Sequence, residues 1–120
     1  MIPIDFKDAR PIYEQVIERF KMLILRGVIK TGEKIPSVRN LAVELSINPN
    51  TIQRAYAELE KQGYIYTVKG KGNFASDAVN LLPAYKGEIL SQLKVICNAA
   101  VEVGMTEEEI ANHVMDWRNL

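Results

Sequence analysis

Ser37-Val38-Arg39-Asn40-Leu41-Ala42-Val43-Glu44-Leu45-Ser46-Ile47-Asn48-Pro49-Asn50-Thr51-Ile52-Gln53-Arg54-Ala55-Tyr56 decides how the rest of this chain is read. Ser37 is an N-cap type of residue. Val38, Leu41, Ala42 and Leu45 follow it as an apolar face, which predicts a helix over 38–45. Ser46-Ile47 leaves room only for a tight connection. Asn48 is again an N-cap type, and Pro49 suits the first helical position, where its missing N–H costs nothing. Ile52, Ala55, Tyr56 and Leu59 recur at i, i+3, i+4 and i+7, and Gly63 stops the run. A further helix is expected over 49–62. Two helices on so short a link form a helix-turn-helix.

Upstream, residues 1–10 carry little pattern. Pro11 stands at a first helical position, and Ile12, Val16, Phe20, Leu23 and Ile24 follow at helical spacing up to Gly27. That predicts a helix over 11–26. Lys30-Thr31-Gly32-Glu33-Lys34 reads as a turn, and Ile35-Pro36 as no more than a scrap of strand. Downstream, Tyr64-Ile65-Tyr66-Thr67-Val68 is aromatic and β-branched, so it reads as a strand. Lys69-Gly70-Lys71-Gly72 is a glycine turn, and Asn73-Phe74-Ala75 returns as a second strand. A hairpin placed directly after the third helix is a wing. The expected fold is therefore mainly α with a small β-hairpin: a winged helix-turn-helix DNA-binding domain over 1–76, followed by a short two-helix C-terminal dimerisation arm over 77–120.

Within that arm, residues 77–83 read as a linker or a frayed first turn, with Pro83 limiting any helix that crosses it. From 84 to 103 the pattern is helical, with Tyr85, Ile89, Leu93, Ile96, Ala100 and Val103 on one face of a helix roughly 30 Å long. Gly104 stops it. Thr106-Glu107-Glu108-Glu109 is a capping box for a last helix over 107–118, with Ile110, Val114 and Trp117 along one side. One short helix does not cover so long an apolar face. Burial against a second copy of the chain does, and these nine residues are the expected homodimer contacts.

The bulk composition narrows the function classes. A chain of 120 residues with 48% hydrophobic content suits one small globular unit or a small domain with an appendage. No apolar run approaches the roughly 18 residues of a membrane span. Met1-Ile2-Pro3-Ile4-Asp5 lacks the basic-then-apolar order of a signal peptide, so a cytoplasmic location is expected. Cys97 is the single cysteine and His113 the single histidine, which removes an internal disulfide and the Cys/His clusters of structural zinc. A Ser–His or Cys–His pair would have to use His113, in a short C-terminal helix with no Gly-rich turn nearby. The bland readings, Cys97 in a packed face and His113 on a helix surface, are preferred. No enzyme activity, metal or cofactor is expected. The net charge is zero but unevenly spread. Residues 1–76 hold 12 Lys/Arg and 8 Asp/Glu, a net of +4, while residues 77–120 hold 3 and 7, a net of −4. A basic front half suits a molecule that shows one end to a polyanion.

The outer side of the third helix begins with Asn50, Thr51, Gln53 and Arg54, and its acids come later. Glu58 is eight positions, roughly 12 Å, beyond Asn50. A recognition helix enters the major groove with its N-terminal end, where Asn and Gln pair with adenine, Arg with guanine, and the Thr methyl with thymine. Taken alone, this face reads equally well as an ordinary solvated surface. Lys69 and Lys71 place two cations on a flexible tip, where glycine lets the backbone approach a partner. Arg39 sits on the opening turn of the second helix, a position at which the dipole disfavours a cation unless an anionic partner is present. A surface ion pair is the alternative there.

Four ordered segments resemble the winged-helix domain of GntR-family transcriptional regulators. They are Ile35-Pro36-Ser37-Val38-Arg39-Asn40-Leu41-Ala42, Asn48 to Tyr56 as quoted above, Leu59-Glu60-Lys61-Gln62-Gly63-Tyr64-Ile65, and Gly70-Lys71-Gly72-Asn73-Phe74. Pro11-Ile12-Tyr13-Glu14-Gln15-Val16 fits as well, so the resemblance covers about 10–75. It implies a dimer that binds double-stranded operator DNA, mostly as a repressor. The DNA-contacting positions fall on Arg39, on Asn48, Asn50, Thr51, Gln53 and Arg54, and on Lys69, Gly70 and Lys71. Pro49 departs from the pattern, since some members carry a polar or basic residue there. Larger subfamilies attach an effector domain of a hundred residues or more. The short tail here is similar to the YtrA-like subfamily, whose tail serves dimerisation and whose genes often sit beside transporter operons. Such a tail encloses no sizeable ligand cavity by itself, and no small-molecule effector is assigned. The competing reading, a winged helix used for protein interaction without DNA, predicts an apolar or acidic outer face on the third helix.

Overall fold

A computed structural model describes residues 2–120. It contains α1 (Ile12–Leu25), α2 (Val38–Leu45), α3 (Pro49–Lys61), β1 (Ile65–Val68), β2 (Gly72–Ala75), α4 (Ala78–Glu102) and α5 (Glu107–Met115), with a closing 3-10 turn at Trp117–Asn119. The compact units divide between Leu82 and Pro83.

In the first unit the caps are those the sequence points to. The Ser37 hydroxyl accepts from the Asn40 N–H at 3.1 Å, and Asn48 Oδ1 accepts from the Asn50 N–H at 2.8 Å. Each takes up one donor that the first turn leaves unpaired. Between the two helices Ser46 turns left-handed at φ 54°, and the Ile47 N–H reaches back to the Ala42 carbonyl at 2.9 Å. Three residues, 46–48, thereby join the two helices. Pro11 stands as the N-cap of α1 rather than as its first residue.

The core lies where α1, α2 and α3 meet. Val16, Phe20 and Ile24 come from α1, Leu41 and Ala42 from α2, and Ile52, Ala55, Tyr56 and Leu59 from α3. Each fully buried aliphatic or aromatic side chain is worth roughly 1.5–3 kcal/mol of transfer free energy. Phe20 and Tyr56 meet edge to face, with centroids 5.6 Å apart and planes at 86°. The Tyr56 hydroxyl donates to the Pro36 carbonyl at 2.7 Å. Burial, reinforced by the Glu44 carboxylate, pushes this phenol well above its ordinary pKa, so it remains a donor.

Residues 2–10 gain their order from α1. Gln15, buried, accepts from the Asp5 N–H at 3.0 Å and donates to the Asp5 and Arg10 carbonyls at 2.9 and 3.2 Å. Lys21 is only 5% exposed; its ammonium lies 3.8 Å from Glu18 and 5.3 Å from the centroid of the Tyr64 ring.

The hairpin is antiparallel, pairing Ile65 with Ala75, Tyr66 with Phe74, Thr67 with Asn73 and Val68 with Gly72. Its turn is closed by the Lys71 N–H on the Val68 carbonyl at 2.9 Å. The scrap of strand lies a little earlier than Ile35-Pro36. Lys34 bridges Phe74, with the Ile35 N–H on Asn73 O and the Ala75 N–H on Glu33 O, both at 2.9 Å. β2 is thus hydrogen-bonded along both sides.

The tail differs from expectation at three places. Residues 78–83 are helix, neither linker nor frayed turn. Asp77 caps α4 by accepting from the Val79 N–H at 3.0 Å, and Pro83 is carried inside the helix. It is the sixth helical residue, so it forfeits the one bond to the Val79 carbonyl while the preceding turn is already anchored: Leu81 lies against Gly63, within 3.9 Å of where a Cβ would stand. Val103 falls in the turn after α4 rather than in it, and Trp117 falls in the 3-10 turn because α5 ends at Met115. In α5 the Thr106 hydroxyl accepts from the Glu109 N–H at 3.1 Å, as the capping box requires. No residue of α4 or α5 is buried. Cys97 is a half-buried free thiol and His113 is exposed. Among the described residues no helix is long and apolar enough to cross a membrane.

Tyr56→Phe keeps the ring against Phe20 but strips the Pro36 carbonyl of its donor. The expected loss is about 1 kcal/mol in urea unfolding with an unchanged m-value. An unchanged midpoint would show that water replaces the hydroxyl without cost.

Candidate nucleic-acid interface

The outer side of α3 divides into two flanks. Residues seven apart lie on one stripe of a helix, so Gln53 shares a stripe with Glu60. Glu60 Oε2 receives a hydrogen bond from the Thr67 hydroxyl of β1 at 3.1 Å, so this flank faces the wing. On the opposite flank Arg54 stacks over the Tyr13 ring of α1, its Cζ 4.0 Å from the centroid. Gln53 and Arg54, both read on the outer side of this helix, lie on different flanks of it. Asn50, Gln53 and Arg54 are exposed, while Thr51 is half-buried. Asn48 is exposed too; its Oδ1 accepts the cap bond, while its amide N–H donors are open to a partner.

The acids of α3 are occupied away from its N-terminal end. Glu58 Oε1 accepts from Gln62 Nε2 at 2.8 Å, and Glu60 Oε2 lies 3.1 Å from the Thr67 hydroxyl, which also meets Asn73 Oδ1 at 2.8 Å. The opening turns of α3 carry no acid.

The wing and the start of α2 share a second element of the face. Lys34, Ser37, Val38, Lys69, Gly70 and Lys71 are among the residues lining one open cleft of about 540 Å³. Arg39, exposed, follows Val38 directly on the first turn of α2. The structure therefore brings Arg39, Lys69 and Lys71 to one end of the unit and adds Lys34, which the sequence reading left in a turn. Only the bridge from Lys34 to Phe74 reveals it, and a single bridge has no periodic signature. The stem of Lys34 lies along Gly72, whose φ is +121°; a Cβ there would stand 2.9 Å from Lys34 Cε. Gly70, at φ +76°, makes the tip. Tyr13 is the other residue that spacing did not single out, because its partner comes from another helix.

Residues 12–74 match the family described as bacterial regulatory proteins, gntR family. The HTH-type transcriptional repressor YtrA of Bacillus subtilis is 41% identical over 112 residues, spanning 92% of this chain and 86% of that protein. A GntR family transcriptional regulator from Listeria monocytogenes superposes with a TM-score of 0.76 at 37% identity, covering 92% of this chain and 98% of its own. AraR(DBD), solved in complex with an operator, superposes on 63% of this chain and 93% of its own with a TM-score of 0.54 at 32% identity.

Gly72→Ala combines an unfavourable positive φ with a contact on the Lys34 stem. It is expected to destabilise the chain by about 1–2 kcal/mol in chemical denaturation while far-UV dichroism stays helical. A wing that accepts alanine without loss would mean that the turn relaxes and that Lys34 is not held by it.

Proposed function

The chain belongs to the GntR family of bacterial regulatory proteins, and we propose that it works as a dimeric repressor reading an inverted-repeat operator with one winged helix-turn-helix per subunit. It is a DNA-binding transcriptional regulator, in a family whose members are regulators rather than enzymes. The observation that carries the finer reading is the common exposure of Arg39, Asn50, Gln53, Lys69 and Lys71, with Lys34 joined to them, on a face whose nearby acids are occupied elsewhere. That is the arrangement of a reading head beside backbone-binding cations. Arg39 and Gln53 would reach base edges. Lys34, Lys69 and Lys71, around Gly70, would lie along phosphates, and Asn48, Thr51 and Arg54 would flank the groove. The interaction-module alternative needs an apolar or acidic outer face on α3, and nothing favours it. A regulator of this kind acts where the DNA is, in the cytoplasm.

The dimer reading rests on the tail. Leu93, Ile96, Val103 and Trp117 are 41%, 66%, 81% and 60% exposed, and Ile89 and Val114 are exposed with them. Tyr85, Ala100 and Ile110 are half-buried. An apolar series of this length is covered by a second copy of itself in a two-fold arrangement.

Two measurements test these readings. In competitive binding to selected operator and scrambled duplex, Arg39→Ala and Gln53→Ala should lose about 1–3 kcal/mol on the operator and much less on the scrambled duplex. Lys71→Ala and Lys34→Ala should weaken both alike and lower the log–log salt slope by about one unit each, from a parent slope near −7 if each subunit neutralises about four phosphates. An undiminished specificity ratio in Arg39→Ala would make Arg39 structural. Leu93→Glu places a charge on a face that is open in the single chain. It should leave the melting of the winged unit unchanged and convert a dimer into a monomer in sedimentation. A parent chain that sediments as a monomer at micromolar concentration defeats the dimer.

A further inference from the structure

Tyr13, Glu14, Ile17, Glu18 and Lys21 of α1 and Arg54, Glu58 and Gln62 of α3 line one groove, of about 400 Å³. Tyr13 is the second residue of α1 and Arg54 the sixth of α3, so their contact falls in the first half of each helix. The end of α3 that carries Asn50 and Gln53 is therefore also the end at which Arg54 is held against α1. Two observations describe how it is held. The guanidinium lies 4.0 Å from the centroid of the Tyr13 ring. Glu58, one turn further along α3 and at ion-pairing separation from Arg54, has its Oε1 bonded to Gln62 Nε2 instead.

The chemistry of the two holding modes differs. A carboxylate would bind the guanidinium through its in-plane N–H groups and cancel its charge. A ring binds its face, which leaves the N–H groups pointing outward and the charge intact, and it restricts the side-chain rotamers before any partner arrives. We propose that Tyr13 is a positioning residue for the DNA interface: its ring pre-organises Arg54, with charge and donors unspent, for a phosphate beside the groove that α3 enters. The proposal rests on the DNA-binding reading above and assigns α1 a part in it. Ordering a long cation in advance removes part of the entropy cost that binding would otherwise meet.

The test is a set of double-mutant cycles on the full chain, using the duplex that the parent selects from a random pool and fluorescence titration at fixed salt. Tyr13→Phe keeps the ring face and should bind within twofold of the parent. Tyr13→Leu keeps apolar bulk in the groove without a π face and should bind about threefold to fivefold more weakly, the order of one exposed cation–π contact. Because Tyr13 acts through Arg54, the double variant Tyr13→Leu/Arg54→Ala should bind no more weakly than Arg54→Ala alone. Tyr13→Leu/Lys71→Ala should show the product of the two single losses. A merely structural role for Tyr13 would multiply with both partners and would also be seen as a lowered melting temperature in Tyr13→Leu. Parent-like binding by Tyr13→Leu, or losses that multiply with Arg54→Ala, overturns the proposal while leaving the DNA reading intact. Parent-like binding by Arg54→Ala overturns it by removing Arg54 from the interface. A parent that selects no duplex from the pool overturns the DNA reading itself and this proposal with it.

Discussion

Tyr56 donates a hydrogen bond from α3 to the Pro36 carbonyl, one residue ahead of the cap of α2, while its ring edge meets Phe20 of α1. One buried side chain thus fixes α3 against both of its helical neighbours. Pro36 precedes the cap by one residue and Arg39 follows it by two, so the same bond sets where Arg39 stands relative to Gln53. Removing that donor leaves the part-buried Pro36 carbonyl without its protein partner. The geometry of the outer face is therefore determined from within the core rather than by contacts on the face itself. That suits side chains that must remain free for a partner.

The same economy governs charge. Acids are numerous on the winged unit, and three of them accept hydrogen bonds from close neighbours: Glu58 from Gln62, Glu60 from Thr67, and Glu33 from the backbone N–H of Lys30. Their positions place negative potential late on α3 and on the far side of the turn. Among the cations of the cleft, Lys34 has its stem laid along Gly72.

The local elements were legible because each announces itself within a few residues. Caps at Ser37, Asn48 and Thr106, the buried series Ile52, Ala55, Tyr56 and Leu59, and the glycine turn at 69–72 all appear where spacing puts them. What was not legible depends on residues far apart in the chain. The bridge that brings Lys34 to the wing joins positions forty apart, and the stack of Arg54 on Tyr13 joins positions forty-one apart. The helix through Pro83 was missed for another reason. Proline is a penalty that a neighbouring contact can outweigh, and the contact of Leu81 with Gly63 lies outside any local window. Family resemblance supplied the expected DNA positions as a set. The structure sorts them by flank and shows Asn48 half-spent on its cap.

Because β2 is hydrogen-bonded on both sides, the sheet of the wing presents few unpaired strand groups of its own. Its outer strand, β1, is four residues long and runs straight into a turn bearing two lysines. Short, charged edges resist the addition of foreign strands. Wings crowded together on neighbouring sites along one stretch of DNA would therefore have little tendency to zip into cross-β aggregates, although each projects a hairpin into solvent.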